Sequence, residues 1–143
     1  MEKKLPIRSQ FYYFRVFETR WDDNDIYGHI NNNVHFRMFD TTINCFLLEN
    51  KLLDLKNGNN IYLAVETNCR YFKQISYPES LDVGINISHL GNTSIIYNIG
   101  IFKKKEDSAS ALGKFVHVNI DKRNNKPSVI DDESLKKFKI LIK

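Results

Sequence analysis

The run Asp23-Asn24-Asp25-Ile26-Tyr27-Gly28-His29-Ile30-Asn31-Asn32 brings two carboxylates, a glycine, an imidazole and paired amides together in one short stretch. A carboxylate so placed can attack a carbonyl carbon or take a proton from a water molecule. From Val34 onward apolar side chains recur at helical spacing, so the stretch ends where a helix begins. The start of a helix carries unpaired N–H groups and partial positive charge, which suit a carbonyl oxygen or an anion. Backbone N–H groups around Asn32 and Asn33 are therefore candidates to hold an oxygen that becomes negative, and each such donor is worth about 3 kcal/mol in a transition state. Gly28 permits a turn with close approach to a substrate. The bland alternative is a cluster of turn and capping residues, because Asp and Asn favour such places. Asp23 fits that role, as the residue that fixes the loop. Asn31, Asn32 or Asn33 suits the N-cap. A calcium loop is excluded, since the twelfth position counted from Asp23 is Val34 and not glutamate.

Several elements must position this loop. Phe11 to Trp21 is aromatic and β-branched, as a first strand is. Phe36, Phe39, Ile43, Phe46 and Leu47, widened by Val34, Met38, Cys45 and Leu48, predict a helix apolar enough to belong inside the protein. Lys56 to Asn60 is a turn signal. Four strands follow. Tyr62 to Lys73 is read with Leu63, Val65, Cys69 and Tyr71 on one face, and Glu66 with Arg70 as an ion pair. Leu81, Val83, Ile85 and Ile87 alternate with polar residues, as do Ile95, Tyr97, Ile99 and Ile101. Leu112, Val116, Val118 and Ile120 are read as the inward face of the next strand. Asp131-Asp132-Glu133 opens a short terminal helix carrying Leu135, Phe138 and Leu141. This order predicts an α+β domain, an antiparallel sheet wrapped around a long central helix, and excludes a doubly wound parallel sheet. One domain spans residues 1–143, with its core at about 11–130 and the last helix at 131–142.

The chain has 143 residues, 42% of them hydrophobic, and a net charge of +4. That is enough for one full core. The lysine groups at 103–105 and 136–143 lack the aromatic interleaving of nucleic-acid modules, so no nucleic acid is expected as a partner. No apolar run approaches the length of a membrane span, and no secretory leader opens the chain, so no membrane partner is expected and the location is read as cytoplasmic. Cys45 and Cys69 have no CxxC spacing and read as small buried hydrophobes in a reducing compartment. No metal-ligand spacing is present, and His35, His89 and His117 stand outside any clustered motif.

Arg20 to Asn32 resembles the signature loop of hotdog-fold acyl thioesterases, in the branch with a D-x-D-x-x-G-H-V-N-N pattern that is related to the 4-hydroxybenzoyl-CoA thioesterase type. Tyr71 to Leu81 is similar to the family's Y-x-x-P-x-x-x-G-D segment, with Pro78-Glu79 departing from it. Gly113 to Pro127 resembles the last strand, so the likeness runs from about Phe14 to Asp132. The resemblance implies a hotdog fold and hydrolysis of an acyl (fatty or aryl) thioester to free acid and coenzyme A. It implies Asp25 and His29 as catalytic residues, with Asp25 as nucleophile or general base and His29 orienting the loop or binding substrate. Tyr27, Gly28, Asn31, Asn32 and Asn33 are the implied substrate contacts. Tyr27 stands where the plant acyl-carrier-protein thioesterases have asparagine, so a mechanism that needs that amide does not carry over. The implied partner is an acyl-CoA or acyl-carrier-protein thioester as substrate, with no cofactor of the protein's own. The implied assembly is a homodimer, or dimers stacked into a homotetramer, with the site at the dimer interface. Two other hotdog functions compete: an enoyl-CoA hydratase, whose GD-x-NP-x-H type of motif is absent, and a non-catalytic binder, which has no need of Asp25.

Overall fold

The computed structural model describes residues 4–142; Met1–Lys3 and Lys143, at the two ends of the expected domain, lie outside the described residues. Six strands, β1 (Tyr13–Glu18), β2 (Asn60–Tyr71), β3 (Ser80–Leu90), β4 (Ser94–Lys103), β5 (Ala111–Asp121) and β6 (Lys126–Pro127), form one antiparallel sheet in the order β1-β3-β4-β5-β2, with β6 paired to β5. Helix α1 (Asn32–Glu49) packs on this sheet, and α2 (Asp132–Phe138) closes one end of the core, where Phe138 meets Phe46 and Tyr62. The first strand is shorter than the aromatic run that predicts it. Trp21–Asp23 has left the sheet as a single 3-10 turn, which begins the loop.

Helix α1 starts earlier than its apolar stripe because polar residues make its first turn. Asn31 is the cap, and its side-chain oxygen accepts the Asn33 N–H at 3.1 Å. Val34, His35, Met38, Phe39, Thr42, Ile43, Phe46 and Leu47 form its buried face. Buried Thr42 returns its hydroxyl to the Met38 carbonyl at 2.7 Å. The opposite face, with Arg37, Asp40 and Leu48, is exposed, so the helix lies on the sheet rather than inside it.

Two strand faces differ from the sequence reading. In β5 the inward residues are Ala111, Gly113, Phe115, His117 and Asn119, while Leu112, Val116 and Val118 are half-buried on the outer side. The helix decides this. A side chain at Gly113 would place its Cβ 2.6 Å from the Phe39 ring, so only glycine lets that ring touch the sheet. The outer side has its own small cluster, in which Leu112 packs with Phe11, Phe102 and Ala109. In β2 the face read from Leu63, Val65, Cys69 and Tyr71 is split by a bulge. Ala64 pairs with His117 and Glu66 with the adjacent Val116, so Val65 has no partner across β5. Tyr62 and Ala64 point inward before the bulge, and Thr67, Cys69 and Tyr71 after it, while Leu63 is left exposed outside. On that outer side Glu66 lies 3.9 Å from Lys114, a diagonal neighbour across the strands, rather than paired with Arg70.

Candidate active site

The loop between β1 and α1 is held from three sides. Asp23 is 3% exposed. Its Oδ2 accepts the Arg20 N–H at 2.8 Å, and its Oδ1 accepts from Arg37 of the helix at 3.1 Å and from the Arg20 guanidinium at 3.3 Å. The Asn31 N–H donates to the Asp23 carbonyl, and the Ile30 N–H donates to the Ile75 carbonyl beyond β2. Asn24 accepts the Tyr77 N–H through its side chain, and Ser76 donates to the Gly28 carbonyl. The loop is therefore anchored to the helix on one side and to the 75–77 segment on the other.

Asp25 sits at the centre of this frame and is half-buried. Its N–H donates to the His29 carbonyl at 2.8 Å, its carbonyl accepts the Gly28 N–H, and its Oδ1 accepts the Tyr27 N–H at 2.9 Å. The second carboxylate oxygen has no hydrogen-bond partner among the described residues. Gly28 adopts φ +82°, a left-handed conformation in which a side chain is strained. Two recesses meet at Asp25. One, of about 260 Å³, is lined by His29, Asn32, His35, Tyr71 and Gln74 among others. The other, of about 370 Å³, is lined by Trp21, Ile26, Gly28 and Tyr77. In the second, Trp21 and Tyr77 stand edge to face at 6.0 Å.

The implied site residues divide accordingly. Asp25, His29 and Asn32 share the first recess. Gly28 borders the second, and the exposed Tyr27 side chain projects from the loop. Asn31 is occupied as the helix cap, and the Asn33 N–H, a candidate oxyanion donor, is taken by that cap. Asn33 itself lines a separate cleft with Arg20 and Arg37. The Asn32 N–H, in the first turn of α1, has no acceptor among the described residues.

His35 was not singled out by the sequence reading, yet it lines the first recess and is 5% exposed. Burial lowers its pKa; the carbonyls of Asn31 and Asn32 act more weakly in the other direction, and neither meets hydrogen-bond geometry with Nδ1. Tyr71 faces its ring edge-on at 4.8 Å. A signal was available, because position 35 follows the cap by one turn on the same face as Met38 and Phe39. Gln74 and Tyr71 gave none, since strand pairing far along the chain brings them here. Among the described residues no group of His, Cys, Asp or Glu is arranged to hold a metal ion. No helix among them is long and apolar enough to cross a membrane.

Known structures share this fold. The protein PA5185 of Pseudomonas aeruginosa superposes with a TM-score of 0.91 and 37% identity, covering 96% of each chain. Slr0204 of Synechocystis, a 1,4-dihydroxy-2-naphthoyl-CoA thioesterase, has a TM-score of 0.77 at 16% identity, over 88% of this chain and 94% of that one. SAV2348 of Staphylococcus aureus, solved in complex with CoA, has a TM-score of 0.83 at 11% identity, over 99% of this chain and 91% of that one. At such low identity the last two share the fold alone. Residues 19–138, from the end of β1 to the end of α2, carry the sequence profile of the thioesterase-like superfamily, and the chain belongs to that family.

Proposed function

We propose that this protein hydrolyses an acyl-coenzyme A thioester to the free acid and coenzyme A. The observation that carries this reading is the position of Asp25, half-buried at the meeting point of two recesses and beside the first turn of α1. A thioester lying across Asp25 has one recess for its acyl group and one for the arm that bears sulfur. Asp25 then acts on the carbonyl carbon directly, forming an anhydride that water opens, or takes a proton from the water that attacks. In both routes the carbon–sulfur bond breaks, the thiolate departs and one water is consumed; its oxygen ends in the free acid when water attacks the acyl carbon, and in Asp25 when water opens the anhydride at the aspartyl carbon. The Asn32 N–H is the donor left to steady the carbonyl oxygen as it becomes negative. His29, in the same recess, orients the loop or contacts substrate, and Gly28 and Tyr27 flank the sulfur side. Coenzyme A as carrier is favoured by the family and by the CoA complex of SAV2348.

The reading includes a homodimer through β2. This strand ends the sheet with an unpaired edge twelve residues long, and Leu63, Val65 and Tyr71 on it are exposed. An edge of that length is a template for pairing with a second copy. Sedimentation showing only monomer at micromolar concentration removes the dimer.

The test of function is thiol release from a panel of acyl-CoAs. The parent protein should release thiol, and Asp25→Asn should lower kcat by about 10²- to 10⁴-fold, the usual worth of a positioned acid or base. Thiol release by Asp25→Asn at the parent rate would falsify the role given to Asp25. Hydration of an enoyl-CoA without thiol release would instead favour the hydratase function.

A further inference from the structure

The turn after β1 and the segment before β3 hold an uncovered apolar surface beside Asp25. Trp21 is 83% exposed and Ile26 is 95% exposed, and the exposed Tyr77 lines the same recess. Single exposed apolar side chains are ordinary, but large ones gathered at the mouth of a site mark a contact surface. This one is built in advance. Trp21 opens the 3-10 turn that the Asp23 N–H closes onto the Arg20 carbonyl, and the Asp23 carboxylate accepts the Arg20 N–H at 2.8 Å. The Tyr77 N–H donates to the Asn24 side chain at 3.0 Å, which sets the two rings edge to face. A platform ordered before binding loses little entropy when a ligand lies on it.

Position and charge select that ligand. The recess runs from Trp21 and Tyr77 to Asp25 and Gly28, the side on which the sulfur of the thioester is placed above. The atoms that follow the sulfur in coenzyme A are the pantetheine arm, a chain of methylenes, neutral amides and a pair of methyl groups. Asp22 is exposed next to Trp21 and Asp25 lies at the other end, while Arg20 is engaged by Asp22 and Asp23. Such a border repels phosphate and anionic lipid, and accepts a neutral arm. The Asn24 side-chain N–H groups have no acceptor among the described residues and are placed to donate to an amide carbonyl. The surface stands by β1 and β3, at the opposite edge of the sheet from β2, the strand through which the dimer is proposed to form.

We propose that Trp21 and Tyr77 are the platform for the pantetheine arm of the substrate, the indole packing on its methylene and methyl groups and Asn24 donating to one of its amides. This rests on the thioesterase reading above. The contact is the same in the bound thioester and in the transition state, so it sets KM rather than kcat.

One acyl group, the one cleaved fastest in the panel above, is compared as its thioester with coenzyme A, with pantetheine and with N-acetylcysteamine, which keeps only the sulfur end of the arm. Trp21→Ala should raise KM by about 5- to 30-fold for the first two. It should leave kcat, and both constants for the N-acetylcysteamine thioester, near the parent's, and Trp21→Phe should recover part of the loss. A penalty confined to the coenzyme A thioester puts the nucleotide on the platform and overturns the proposal. An equal penalty on all three, or none, also overturns it. Trp21 is the chain's single tryptophan, so its fluorescence reports the platform directly. Without ligand it should emit as a solvent-exposed indole, and coenzyme A and pantetheine should each change that emission saturably. Trp21→Ala that sediments as a monomer where the parent does not assigns the surface to a second copy, and loss of binding to phosphatidylcholine vesicles in Trp21→Ala assigns it to a lipid surface; either overturns the proposal. If no thioester is cleaved, the function proposed above fails, and fluorescence decides alone: a saturable response to pantetheine supports the platform, and its absence overturns it.

Discussion

Removing Asp23 separates the residue that builds the loop from Asp25, the residue proposed to act in it. Asp23 is 3% exposed, whereas the side chains of its partners Arg20 and Arg37 are 59% and 45% exposed. Asp23→Ala loses the buried bond to the Arg20 N–H, worth about 1.5–3 kcal/mol for a charged acceptor. It also loses two ion pairs, each worth only about 0.5 kcal/mol because solvent screens the guanidinium groups. The expected loss is about 2–4 kcal/mol. Arg20→Ala or Arg37→Ala should each cost less than about 1 kcal/mol, because the freed carboxylate keeps its remaining partners. Asp23→Asn, which keeps one acceptor oxygen, should fall between the two. Equilibrium urea unfolding measures all four, provided the slope with denaturant is unchanged. Asp25→Asn in the same assay should stay near the parent, since its one side-chain bond is local and half-exposed. A loss below about 0.5 kcal/mol for Asp23→Ala, or a larger loss for Arg37→Ala than for Asp23→Ala, refutes the reasoning.

Two further outcomes follow from the core. Gly113→Val forces Phe39 off the sheet and should cost about 1–3 kcal/mol by overpacking, read as a lower melting temperature; combining it with Phe39→Leu should recover part of the loss, and an unchanged melting temperature contradicts the contact. His117 is buried and its pKa is pushed down to about 4 from an ordinary 6.5, so the unfolded chain takes up this proton at higher pH than the folded one. Stability should therefore be full above about pH 6.5 and fall by up to about 3 kcal/mol as pH drops toward 4. The lowered His35 works in the same direction. Urea midpoints between pH 7 and pH 4.5 measure this; a flat profile, or an unchanged slope in His117→Phe, would show that the ring is not held neutral.

The sequence was most legible where one element carries its own signal. The stripe from Val34 to Leu47, the amides at 31–33 and the alternation in β3 and β4 each predict what forms, because local periodicity and capping decide them. The inward face of β5 was not legible. Val116 and Val118 are better strand-core residues than Gly113 and His117 by composition, but the bulk of Phe39 on a distant helix makes glycine the inward choice. The β2 face failed for a related reason, since a bulge at Val65 is set by pairing with β5 and leaves no mark in the alternation itself. At the site, Asp25, His29 and Asn32 were readable from one contiguous loop. The spacing of His35 from the cap puts it on the apolar face, but a histidine on such a stripe reads as core, and the recess it lines is closed by Tyr71 and Gln74 from elsewhere.

The extra residue in β2 works like a half-turn in a ribbon. Everything downstream of Val65 is rotated to the opposite side from where an unbroken strand would carry it, and six residues later this is what turns a phenol ring, rather than the guanidinium of Arg70, toward His35. Drawing Val65 into the ladder, so that the strand ran unbroken with all its residues, would exchange the two. The recess beside Asp25 would then acquire a permanent cation on its wall, next to the buried imidazole of His35 and the Asp25 carboxylate. One unmatched valine thus decides whether that wall carries a phenol or a fixed positive charge.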